Sequence, residues 1–340
     1  MTPFIQRPDD PEIPPPYTFP GVTINSFELE ADIEALQDLC DKFLNIGDIH
    51  QRGFEYRPLL PYVALEVLYY PKLISLQPPY SYWGYISQNE AYIRFPVVKY
   101  DLLFGLFMVP VEVSNFFPFL FVDSSWSAFS GREVIGFPKV IGDIVQATNP
   151  DRSYSASVQA PVFPTYSPST IQALRQVVRV NTGPPLEAPR EASSAPPTMW
   201  PWAITSLEGV AGAVESAIIE VAELIDRDLL STVQLKQIRD AQDPTMACFQ
   251  GLVHSDFQVH NVSLPELFSD PEIVLTRSAS LDLARSCGLP ASPIKAALAY
   301  RTTCDMTFGN TTNLFITSGL GRSPVEGGGL LPLLRYFWGA

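Results

Sequence analysis

Residues 131–140 read GREVIGFPKV, and Lys139 is the single basic residue in the run VIGFPKVIG, residues 134–142. The chain has 6 lysines against 16 arginines, so this placement asks for a reason. Two roles fit an ammonium there. It can end a strand and snorkel its charge to water along an apolar stem. It can also be a nucleophilic amine. With a pKa near 10.4, only roughly 0.04% of an ordinary lysine is neutral at pH 7. Full burial disfavours the charged form and lowers such a pKa by about 3–5 units. The neutral fraction then rises by roughly three decades, equivalent to about 4–5 kcal/mol. A neutral amine adds to a ketone and becomes an iminium. The iminium accepts the electron pair released when a bond at the adjacent carbon breaks.

Two glutamates could serve that chemistry. Glu66 stands in YVALEVLYY and Glu90 in NEAYIRFPV. Strand alternation puts Glu66 on the face opposite Leu65 and Val67. An inward carboxylate needs a partner or a proton. As a carboxylic acid it could pass protons to and from a carbinolamine or enamine. Either glutamate could instead sit on a solvated face or in an ion pair. Arg132 and Glu133 follow Gly131 and read as an ion pair at a tight turn. His254 and His260 lie six apart in a strand-like run, on one polar face.

Other site types are missing from the sequence. There is no G-x-S-x-G, no phosphate-binding loop and no G-x-G-x-x-G. Cys40, Cys248, Cys287 and Cys304 are scattered and read as free buried thiols rather than zinc ligands. No metal or cofactor is expected. The net charge of −14 argues against a nucleic-acid partner and against an anionic membrane surface. The apolar stretch DLLFGLFMVPVEV is too short and too interrupted to span a bilayer. The acidic, proline-rich beginning does not read as a secretory leader, so a cytoplasmic protein is expected.

The elements that must hold these residues follow from periodicity. Residues 1–21 read as a proline-rich, extended or loosely packed arm. Ile33, Leu36, Leu39, Cys40 and Phe43 make the buried stripe of a helix that Gly47 would stop. Residues 60–125 read as short aromatic and β-branched strands, which suggest an antiparallel barrel or sandwich. Pro96 and Pro118 fall inside two of them and predict edges or bulges. Two alternating runs flank an Asn-Pro-Asp turn near residue 150. Residues 181–235 read as a surface insertion. It opens with a proline-rich loop and continues as a helix with a capping box at Thr205 and Glu208. Strands resume over 247–274, a helical pattern near 278–288 ends at Gly288, and residues 321–340 form a Gly-rich, then apolar tail. The main domain is expected over 22–320.

GREVIGFPK resembles the G-R-E-x-x-x-[FY]-P-K signature of the acetoacetate decarboxylase family. NEAYIRFPV, YVALEVLYY and the segments 235–275 and 278–310 resemble further family segments, in the right order. The resemblance implies an α+β fold, an antiparallel β-barrel or cone around a central pocket. It implies that Lys139 forms a Schiff base and that Glu90 and Glu66 face the pocket. It also implies a homo-oligomer, as in related enzymes. Three positions depart from the pattern. Val140 replaces a second lysine, so burial alone would have to activate Lys139. Val22 falls near the place of a carboxylate-binding arginine, and Arg94 could substitute for it by position. Phe137 replaces a tyrosine. With Arg132, these residues form the expected substrate pocket, more apolar than one built for small keto acids.

The activity expected is decarboxylation of a larger, apolar β-keto acid in specialised metabolism. Aldol condensation, dehydration or cyclisation of a keto compound runs through the same intermediates. A non-catalytic barrel holding an apolar ligand is the alternative outside enzymology. A structural subunit, suggested by the apolar tail, is a third.

Overall fold

The computed structural model describes residue 5 and residues 10–186 and 230–318. The expected helix after Thr205 and the tail 321–340 lie outside the described residues. The strands in chain order are β1 (Tyr17–Glu30), β2 (Phe54–Pro58), β3 (Tyr62–Ser75), β4 (Ile86–Leu103), β5 (Phe107–Val122) and β6 (Lys139–Ile141). Then come β7 (Asp143–Thr148), β8 (Tyr154–Val162), β9 (Ala173–Asn181), β10 (Leu230–Arg239) and β11 (Ala247–His260). The last four are β12 (Glu266–Leu267), β13 (Glu272–Leu275), β14 (Ile294–Lys295) and β15 (Leu298–Ser318).

Seven strands form a ring around an axis: β4-β3-β1-β15-β11-β10-β5, with β5 returning to β4. β2 extends from β4 and β6 from β5. A second sheet, β14-β13-β9-β8-β7, packs outside the ring. The fold is mostly strand, as expected, but two contacts are parallel, β5 with β6 and β5 with β10. Parallel neighbours need a crossover. Between β5 and β6 it is the short helix Ser125–Ser130 and the wide turn Gly131–Ile135.

Alternation separates two cores. Phe27, Leu65, Val67 and Ile93 point outward and meet Val158, Val178 and Ile273 of the second sheet. Tyr17, Phe19, Leu68 and Leu120 point inward and line the ring. The helix α1 (Ile33–Phe43) is the predicted one. It is N-capped by Asp32 and buries Leu36, Leu39 and Cys40 in the outer core. It ends at Phe43, before Gly47, where the cap passes to Leu44.

Both strand prolines sit where a ladder donor is dispensable. Pro96 lies between the last β3 pair, at Arg94, and the first β2 pair, at Val97. Pro118 lies in a bulge: Ile93 faces Phe119 and Phe95 faces Phe116, so Phe117 and Pro118 together oppose Arg94. The extra residue reverses the alternation of β5. Asn115 and Phe117 face the pocket before it and Leu120 after it, while Phe116 and Phe121 enter the outer core.

Two expected boundaries move, and the arm packs. β1 starts at Tyr17, inside the expected arm. β10 starts at Leu230, so residues 230–235 belong to the ring rather than to an insertion. The arm is not loose over 10–16: Ile13 N–H donates to Ser130 Oγ (2.9 Å) and Ser75 Oγ donates to the Pro14 carbonyl (2.8 Å). Of the four thiols, Cys248 is exposed and the other three are buried. Among the described residues no helix is long and apolar enough to cross a membrane.

Candidate active site

β6 opens with Lys139, in register with Leu120 of β5 and pointing into the ring. Its side chain crosses directly over Gly131. A Cβ at that position would lie 2.5 Å from Lys139 Cδ and 2.7 Å from Cε. Gly136 turns the chain back with φ +87°, a conformation that a side chain disfavours. These two constraints account for both glycines of the motif. Lys139 is 9% exposed, and its Nζ donates to Glu90 Oε2 at 2.7 Å and to Ser127 Oγ at 2.8 Å. It also lies 5.9 Å from the centre of the Phe137 ring. The ammonium therefore does not snorkel to water.

β4 supplies the facing wall. Gln88, Glu90, Tyr92 and Arg94 share one face and all line the pocket, as a two-residue period requires. Gln88 Nε2 donates to Glu90 Oε2 at 3.2 Å. Glu66 of β3 stands opposite Tyr92 and takes a charge-assisted bond from Arg94 Nη2 at 2.6 Å. Arg94 Nη1 donates to Asn115 Oδ1 at 3.1 Å. The pocket thus holds two buried ion pairs, Lys139–Glu90 and Arg94–Glu66.

Behind the second pair lies a group that sequence reasoning missed. Glu28 of β1 is buried, and Ser26 Oγ stands 3.4 Å from its Oε1 and 3.1 Å from Glu66 Oε1. Burial, reinforced by Glu66 and opposed by Arg94, pushes the Glu28 carboxyl up to about 7. Burial, with Glu66 nearby, also raises the Tyr70 and Tyr92 phenols, and Glu90 adds to the effect on Tyr70. Cys304 lines the same space, and burial pushes its thiol up to about 12. It remains a thiol and is no competitor as nucleophile. Ser127 was missed too, although Ser124, Ser127 and Ser130 recur every three residues before Gly131, a signal for one face of a short helix.

The expected pocket set divides. Lys139, Glu90, Glu66, Arg94 and Phe137 all line the cavity. Arg132 and Val140 do not. Val140 points away from Lys139 by alternation and packs on the outer core. Arg132 is exposed and lines a separate cleft outside the ring. Its guanidinium donates to the Lys139 carbonyl at 3.0 Å, so it braces the backbone of the lysine instead of pairing with Glu133. The cavity is about 170 Å³. One water needs roughly 10–15 Å³ by this measure, so a ligand of about ten non-hydrogen atoms fits. Ile13, Tyr17, Phe19, Leu73, Ile86 and Phe308 make much of the wall apolar.

Residues 1–161 match the family model of acetoacetate decarboxylase (ADC). Over these residues the chain carries a divergent acetoacetate decarboxylase-like domain. The matched residues carry Lys139, Glu90, Glu66 and Glu28. The rest of the ring is matched through structure. An acetoacetate decarboxylase from Legionella pneumophila superposes with a TM-score of 0.54 at 15% identity, over 92% of this chain and 90% of that one. An acetoacetate decarboxylase-like enzyme from Sphingomonas wittichii RW1 gives 0.54 at 15%, over 88% and 92%. The enduracididine biosynthesis enzyme MppR, complexed with the condensation product of pyruvate and imidazole 4-carboxaldehyde, gives 0.51 at 12%, over 91% and 92%. Identities this low speak for a shared fold. No curated protein matches the sequence.

Proposed function

We propose that the protein is a Schiff-base enzyme that decarboxylates a β-keto acid with a ring-sized, apolar body. One observation carries this reading: a buried amine, Lys139 Nζ, touches a buried carboxylate, Glu90, at the edge of an apolar cavity. Proton transfer from Nζ to Glu90 yields the neutral amine and a carboxylic acid beside it. The amine adds to the ketone carbon, and the Glu90 acid protonates the departing hydroxyl as water. The iminium forms with Glu90 ionised. The bond to the carboxylate carbon then breaks, its electron pair enters the iminium, and carbon dioxide leaves. The resulting enamine takes a proton at carbon, and water releases the ketone and Lys139. Ser127 Oγ holds Nζ in line throughout.

A second reading keeps the iminium but joins or dehydrates carbon skeletons instead. It is favoured by the pairing of Arg94 with Glu66 and Asn115, which a substrate carboxylate would have to share. The MppR complex with a condensation product supports such chemistry on this fold. Borohydride trapping with a panel of β-keto acids and diketones, followed by intact mass and peptide mapping, tests both. An adduct on Lys139 that has lost carbon dioxide supports decarboxylation. An adduct that keeps the carboxyl supports condensation. Apolar ligands that bind without any Lys139 adduct, and equally to Lys139→Ala, would make the protein a binding module.

A further inference from the structure

The mechanism above leaves the buried acid Glu28 without a role. Glu28 sits on the inward-alternating side of β1, in register with Ala64 of β3 and Leu298 of β15. The groups that act on it are few. Arg94 reaches it from β4, Glu66 from β3, Tyr300 from β15, and Ser26 from its own strand. Burial holds the Tyr300 phenol protonated. One guanidinium therefore faces two carboxylates, Glu66 in direct contact and Glu28 at longer range, where Ser26 bridges Glu28 to Glu66. A carboxylic acid at Glu28 can donate to Ser26, and Ser26 in turn to Glu66. A carboxylate at Glu28 cannot, and it adds a second negative charge beside Arg94 in a space that screens poorly.

We propose that Glu28 is a positioning residue that decides whether the pocket takes a substrate carboxylate. With a proton on Glu28, Arg94 has one carboxylate partner and accepts the substrate's as a second. Without it, Arg94 already faces two, and a third is repelled. This rests on the β-keto acid reading and narrows it: the acid is taken up together with a proton held at Glu28. The carboxyl titrates at about 7, so the effect falls within an ordinary assay range. If only the protonated form takes the acid, the half-saturating concentration rises about tenfold between pH 6 and pH 8.

The test compares benzoylacetate with benzoylacetone, which carries a neutral acetyl group in place of the carboxylate. Both are read as concentration dependence of borohydride trapping on Lys139 in the full chain. The wild type should show the tenfold rise for benzoylacetate and a much smaller change for benzoylacetone, because Lys139 and Glu90 act on both alike. Glu28→Gln keeps the shape and the donor and should hold the benzoylacetate value within about twofold across the same range. Equal pH dependence for the two ligands in the wild type would overturn the proposal without any variant. A tenfold rise that persists in Glu28→Gln would overturn it as well. If neither ligand is trapped, the Schiff-base reading falls on its own. Calorimetric dissociation constants for the same two ligands at the two pH values then judge Glu28 by the same criterion.

Discussion

Two lysines flank the segment Gly136–Lys139, and they face two different spaces. Lys139 points into the ring. Lys236 of β10 lines the cleft outside it, beside Arg132 and Glu133. Phe117 and Phe137 border both spaces and meet edge to face at 5.3 Å. The outer cleft is larger, about 640 Å³ against 170 Å³, and burial pushes the Lys236 ammonium down while Glu12 and Glu133 pull it back. Size alone would therefore choose Lys236 as the nucleophile. Contacts choose Lys139. Among the described residues Lys236 Nζ donates to the Val134 carbonyl, at 3.2 Å, which cannot carry a proton. Lys139 has a carboxylate and a hydroxyl at hydrogen-bond distance. Burial makes an amine reactive, but a reaction needs a group that receives and returns its proton.

That contrast breaks most directly by exchanging the two lysines' fates. Lys139→Ala should lower turnover by about 10⁴-fold and abolish trapping, whereas Lys236→Ala should stay within about threefold. Adducts mapped to Lys236 would reverse the assignment. Glu90→Gln removes the proton acceptor and leaves the burial. Turnover should fall by about 10²–10³-fold with substrate affinity little changed. A rate near wild type would leave burial as the sufficient cause.

The next test acts through shape. Gly131→Ala puts a methyl where the Lys139 stem runs, and a displacement of this size costs about 10²-fold in rate. Gly136→Ala strains the same turn on the outer side, near the Lys236 backbone. It should reduce thermal stability more than it reduces the rate per folded molecule. Similar losses from both variants in single-turnover rates would mean that the two glycines serve only the turn.

The smallest effect concerns a charged pair outside both spaces. His254 Nε2 lies 2.7 Å from Glu112 Oε1, on the outward face of β11 and β5, off the line of a good hydrogen bond. Burial opposes ionisation, but the neighbouring His254 and hydrogen bonds from Ser114 and Ser231 outweigh it and hold the Glu112 carboxyl down at about 2. The His254 imidazole is raised, because Glu112 and Asp256 outweigh the opposing burial. The depressed carboxylate stabilises the fold above its unfolded value near 4.3 and loses that contribution as pH falls towards 2. The raised imidazole stabilises it fully below about 6.5 and loses that contribution as pH rises through its folded value. His254→Gln should therefore cost about 1 kcal/mol at pH 5.5 and less at pH 8.5. Melting curves of both proteins at the two values decide it, and equal losses would remove the pair's charge from the account.

Much of the site was legible before any coordinates. Lys139 in an apolar run and the alternation of Glu66 and Glu90 depend on one strand at a time, and a strand's period is local. The helix Ile33–Phe43 and the strands around Pro96 and Pro118 were legible for the same reason. Arg132 was misplaced because a wide turn of five residues, not a simple bend, separates it from Lys139. It turns the guanidinium back to a carbonyl. Val140 was misplaced by reasoning from neighbourhood in sequence, although strand period alone sends it outward. Glu28 went unread because the charged groups that set its environment are distant in sequence. Arg94, Glu66 and Tyr300 reach it from three other strands.

The sequence by itself determined that Lys139, Glu66 and Glu90 are candidates for the chemistry and which faces of their strands they occupy. Tertiary structure decided the pairings: Glu90 and Ser127 with Lys139, Glu66 with Arg94, and Glu28 behind them. The reason lies in range. Alternation and turn chemistry act over a few residues. Charge balance in a closed ring depends on strands brought together from positions as distant as Glu28 and Tyr300, and only closing the ring sets how many carboxylates one guanidinium must serve.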